Sequence, residues 1–113
     1  MAVSVEQFRR LALACPESTE GVHQGHADFR CGGRVFATLH ADGETAMVRL
    51  PPVRQRDLAA AHGGVFWPAN GAWGRAGCTL VRLAAVDRSV LRDAVVEAWQ
   101  FAAAMVSARA RKK

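Results

Sequence analysis

Apolar residues recur along this chain at two different periods, and the change of period marks the elements. Val5, Phe8, Leu11, Ala12 and Cys15 fall three and four residues apart, with Glu6, Arg9 and Arg10 between them. That spacing predicts a helix with one buried face. Ser4 and Gln7 form its capping box, and Pro16 closes it. Glu17 to Gly25 has no clear period and reads as a polar connector. After it the period shortens to two. Three short runs, ending at Cys31, Leu39 and Leu50, are separated by Gly32-Gly33 and by Asp42-Gly43. Both pairs suit tight hairpin turns, because glycine reaches positive φ without strain. The stretch from His23 to Leu50 is therefore predicted to be a three-stranded antiparallel meander, and the rest of the chain covers it. Ala46, Val48 and Leu50 alternate with Met47 and Arg49, as expected of a strand with one face on a core.

Pro51-Pro52 ends that strand and opens a second helix, with Val53, Leu58 and Ala61 as its thin apolar face and Gly63-Gly64 as its stop. Val65 to Pro68 reads as a strand edge or packed loop, and Ala69 to Ala72 as a turn. Trp73 to Gly77 and Cys78 to Leu83 read as one or two further strands. Asp87 caps the last helix, and Val86 with Leu91 staples it. Leu91, Ala94, Val95, Ala98, Phe101, Ala102 and Met105 form the longest apolar stripe, predicted to pack across the sheet. Residues 107–113 are expected to fray as a basic tail. The order α-β-β-β-α-β-β-α gives an α+β two-layer sandwich. Its mostly antiparallel sheet has about five strands, with the first and last helices side by side on one face.

Composition adds bounds. At 113 residues the chain is expected to be a single domain, residues 1–113, stable without metals or disulfides. No apolar run reaches membrane-spanning length, and Met1-Ala2-Val3-Ser4 is no secretory leader, so the expected site is the cytoplasm, with no membrane partner. Cys15, Cys31 and Cys78 read as free thiols in a reducing compartment. Thirteen arginines against two lysines suggest a GC-rich bacterial genome. The net charge of +5 owes four charges to Arg109, Arg111, Lys112 and Lys113, which leaves the body near +1. Residues 29–82 hold seven arginines against Asp42, Glu44 and Asp57, so the sheet region is basic and could meet phosphates.

Catalytic patterns are missing, and the chain is read as no enzyme. The cysteines sit in apolar patterns, no serine stands in a nucleophile elbow, and the acids are scattered. His23-x-x-His26-x-Asp28 with Cys31 nearby offers metal-ligating types. It has no helix to align both imidazoles and no second ligand cluster, so no metal or other cofactor is assigned. Trp67, Trp73 and Arg75 are stronger candidates, since an exposed indole beside a guanidinium can stack on a base while the cation takes a phosphate. The alternative is that Trp67 and Trp73 close an open edge of the sheet, with Trp99 on the flank of the last helix.

Taken together, Phe8 to Pro16, His23-Gln-Gly-His26 with Phe29-Arg30, Gly33-Arg34, Phe36 to Leu39, Trp73-Gly-Arg75, Thr79 to Leu83 and the helix led by Asp87 resemble the MmcQ/YjbR family of small bacterial proteins. The resemblance runs through nearly the whole chain in order. It implies a frataxin-type (CyaY-like) sandwich and a "double wing" proposed to straddle duplex DNA. On that reading Arg30, Arg34, Arg49, Arg75 and Arg82 contact phosphates, and Trp73 stacks or wedges. The second expectation is a module for a small molecule or a protein, with His23, His26, Phe29, Trp67 and Trp73 lining a pocket beside the sheet. Either way the chain is expected to be a monomer or weak dimer.

Overall fold

The computed structural model describes residues 3–111, apart from the side chains of His23, Ala110 and Arg111. Its elements in chain order are α1 (Val5–Leu13), β1 (Ser18–His23), β2 (His26–Cys31), β3 (Arg34–Leu39), β4 (Thr45–Arg49), α2 (Pro52–Ala61), β5 (Phe66–Pro68), α3 (Gly71–Arg75), β6 (Cys78–Arg82) and α4 (Arg88–Arg111). The strands form one antiparallel sheet in the order β1-β2-β3-β4-β6-β5. The fold is an α+β sandwich, as the order of elements predicts.

Local chemistry sets the ends of the elements. Ser4 accepts from the Gln7 N–H while the Gln7 side chain accepts from the Ser4 N–H, the reciprocal cap expected for α1. Asp87 accepts from the Ser89 and Val90 N–H groups at the start of α4. The β2–β3 turn places Gly32 and Gly33 at φ +59° and +80°, the type I′ combination that matches strand twist. A bulge follows: Phe29 pairs with Ala37 and Arg30 with Val35, so Phe36 is the extra residue. Phe36 and Ala37 are thereby both fully buried, where strict alternation would expose one of them.

Two expectations are corrected. The connector is a strand: β1 pairs with β2 from Ser18↔Cys31 to His23↔His26, turning through Gln24 and Gly25 at φ +52° and +81°. It is an edge strand, and its polar outer surface gives no alternation to detect. Trp73 begins no strand: residues 71–75 are a single helical turn, leaving Cys78–Arg82 as the strand of that region. The last helix runs through Arg111, and Lys112 and Lys113 lie outside the described residues.

The core lies between one sheet face and helices α1 and α4. Phe29, Ala37, Val48, Val81 and Phe66 face inward from successive strands. Phe8 of α1 meets Phe29 edge-to-face at 6.0 Å between centroids. α4 lies along β2, β3 and β4, and the small buried residues Ala94, Ala98 and Ala102 let it approach the strands closely. Near its far end it sits on the β2–β3 turn, where a Cβ at Gly32 would be 2.9 Å from the Val106 methyls. Trp99 flanks the helix and donates from Nε1 to the Pro16 carbonyl at 2.9 Å. The opposite face of the sheet carries no long helix.

Candidate functional site: the open face of the sheet

Strand alternation decides what that open face displays. Opposite the inward residues, β2 presents Asp28 and Arg30, β3 presents Val35 and Thr38, and β4 presents Met47 and Arg49. Beyond them come Cys78 and Leu80 of β6, with Trp67 of β5 beside Leu80. A trough of about 870 Å³ runs over this face. Its floor is Val35, Thr38, Met47 and Cys78, and Trp73 of α3 stands at one wall.

Antiparallel pairing gives the trough two different ends. Arg34, the last residue of β4 (Arg49), the first residue of β6 (Cys78) and α3 share one end. His26, His40 and Asp42 share the other. At the first end Arg49 donates from Nε to the Ala76 carbonyl at 3.1 Å and lies 5.9 Å from the Phe101 ring centroid. Arg34 donates from Nε to the Met105 sulfur at 3.1 Å. Neither makes an ion pair among the described residues. Arg30 is different: its Nε and Nη2 donate to Asp28 at 3.0 and 2.9 Å, and that partner raises its pKa further. Gly21 makes room for this pair, since a Cβ there would stand 2.9 Å from the Asp28 carboxylate. At the second end the His26 and His40 rings lie 6.1 Å apart, and His26 Nδ1 is buried without a hydrogen-bond partner. Asp42 accepts from the Glu44 and Thr45 N–H groups, which hold its pKa below the usual carboxylate range.

Trp73 is 73% exposed, yet the turn that carries it is tightly held. Gln55 of α2, itself buried, donates from Nε2 to the carbonyls of Gly74 and Cys78 at 3.0 Å each. Gly74 and Gly77 let this turn press on its neighbours: a Cβ at either would lie 1.9 Å from a backbone carbonyl, Ala69 or Leu50. Gly77 also has φ +103°.

The residues singled out from sequence therefore divide. Arg30, Arg34, Arg49, His26 and Trp73 are brought together on one trough. Arg75 is exposed on α3, and Arg82 lies further along the face, 5.4 Å above the Trp67 ring; neither lines the trough. Trp67 is accordingly occupied by Arg82, outside the trough. Phe29 is fully buried beneath Phe8 and cannot line a pocket on the open face. The His23 side chain lies outside the described residues. Sequence reasoning missed Gln55, Thr38, Met47 and His40; strand parity marks Thr38 and Met47 as outward, but nothing local marks Gln55. Burial pushes the Cys78 thiol pKa up, so it stays protonated at neutral pH and is a poor nucleophile. No group of three or more His, Cys, Asp or Glu among the described residues could hold a metal. No helix there is long and apolar enough to cross a membrane.

Comparison with known proteins supports the architecture. The fold resembles the crystal structure of Deinococcus radiodurans protein DR2400, family-model domain DUF419. That match has a TM-score of 0.75 at 19% identity and covers 87% of this chain and 77% of the other. At that identity it speaks to the fold alone. No curated protein matches the chain. The YjbR family model matches residues 13–101, from the end of α1 to the middle of α4 and including every strand, and the chain belongs to the YjbR family.

Proposed function

We propose that this protein binds nucleic acid, DNA first of all, through the open face of its sheet. One observation carries the reading: the 73%-exposed Trp73 stands over a trough into which Arg34 and Arg49 bring guanidinium groups without carboxylate partners among the described residues. An unpaired base can stack on the indole while its phosphate accepts from a guanidinium, and such stacking contributes about 1–3 kcal/mol per base. A base within a duplex offers no free ring face, so single strands are the preferred form. Affinity is expected to be modest, because Asp28 already neutralises Arg30 and Asp42 adds a second carboxylate to the walls.

The test is quenching of tryptophan fluorescence by single-stranded DNA, compared with duplex, at low and moderate salt. Quenching by the single strand is expected, with a log–log salt slope of about −1.5 to −2 for two or three phosphate contacts. Trp73→Ala should abolish the signal. Salt-independent binding, or no binding of either form, overturns the proposal. The second reading, a small-molecule or protein module, is favoured by the size of the trough: about 870 Å³ is ample for a compact organic ligand.

A further inference from the structure

The two ends of the trough differ, and the distance between them bears on what it holds. Arg34 and His40 lie six positions apart along β3 and the residue that follows it, with the Phe36 bulge between them. At about 3.3 Å per residue that is at most roughly 20 Å. One end offers Arg34, Arg49 and Trp73, and the other offers His26 and His40, both able to donate to a phosphate or a base edge. A single nucleotide is too short to engage both ends. A stacked strand advances about 3.4 Å per nucleotide, so roughly six nucleotides reach from end to end, and fewer when the strand is stretched.

Resting on the nucleic-acid reading, the geometry points to a site for an oligonucleotide segment of about three to six nucleotides. It lies along β3, with one base on Trp73 at the arginine end and a later nucleotide against the His26–His40 pair. The second end is what distinguishes a strand from a free nucleotide.

A length series tests this with the intact chain: thymidine monophosphate, then oligothymidylates from two to ten nucleotides, each titrated by tryptophan fluorescence and calorimetry. Affinity per chain is expected to climb through about six nucleotides and then level off. His26→Gln and His40→Gln should each weaken the hexanucleotide several-fold and leave the dinucleotide unchanged, with circular dichroism confirming the fold. If the monophosphate binds as tightly as the hexanucleotide, or if both histidine variants bind it like the parent, the two-ended site is wrong while the Trp73 subsite stands. If no member of the series binds, the nucleic-acid reading itself falls and takes this inference with it.

Discussion

Asp28 holds Arg30 with two hydrogen bonds from a side chain that is only 4% exposed, so this carboxylate decides how much positive charge the trough can offer. Asp28→Asn removes the anion and leaves Arg30 free for a phosphate. The salt slope of DNA binding is then expected to steepen by about 0.7, one more contact on a single strand. A slope that does not move would mean that Arg30 stays outside the contact. Asp42 and Asp87 make a different prediction. Hydrogen bonds hold both carboxyls below their ordinary pKa: for Asp42 mainly from the Glu44 and Thr45 N–H groups, for Asp87 mainly from the Ser89 hydroxyl and N–H. The unfolded chain therefore binds protons at higher pH than the native one. Their contribution is complete above about pH 4 and disappears as pH falls through the native pKa values. Asp42→Asn with Asp87→Asn should lower the neutral plateau of a melting-temperature profile towards its acid values, and so flatten the acid side. At this scale much was legible: both caps follow from a short polar side chain before a helix, and the outward positions of Asp28, Arg30 and Arg49 from parity. Phe29 was misjudged because one residue in a strand gives no sign of which face it takes until its partners are known.

Among the elements, the α3 turn depends most on contacts from elsewhere. Five residues with two glycines have little helical propensity, and the pattern around Trp73 suggested a strand. What overrides propensity is Gln55, far back in the chain, together with the close backbone approach at Gly74 and Gly77. Gln55→Leu leaves the Cys78 and Gly74 carbonyls without that donor. It is expected to cost about 1–3 kcal/mol in urea unfolding and to lower the fluorescence anisotropy of Trp73 in a variant with Trp67 and Trp99 replaced by phenylalanine. Gly77→Ala meets both the positive φ and the Leu50 carbonyl, and about 2–4 kcal/mol should be lost. Unchanged stability in either variant would show that the turn is held some other way. β1 was illegible for the converse reason: a solvated edge strand has no apolar rhythm, and only its pairing with β2 makes it a strand.

For the whole molecule, the meander and the amphipathic stripe of α4 were enough to give the sandwich, because each demands a partner and the chain supplies one of each. The charge was a poorer guide. Seven arginines within residues 29–82 suggested a basic sheet region, yet Arg30 is paired with Asp28, Arg54 with Asp57 and Glu97, and Arg75 and Arg82 stand apart from the trough. The expected duplex clamp thereby contracts to a narrower groove.

All the strands precede α4 in the chain, yet α4 closes their inner face. During synthesis, then, Phe29, Phe36 and Val81 stay wet until the ribosome has delivered the residues after Asp87. A nascent chain stalled at Ala85 should be cut readily by protease and bind chaperones that recognise exposed apolar strands, while one that has released α4 through Arg111 from the exit tunnel should resist both. Until α4 has emerged, the inner face of the sheet lacks its cover.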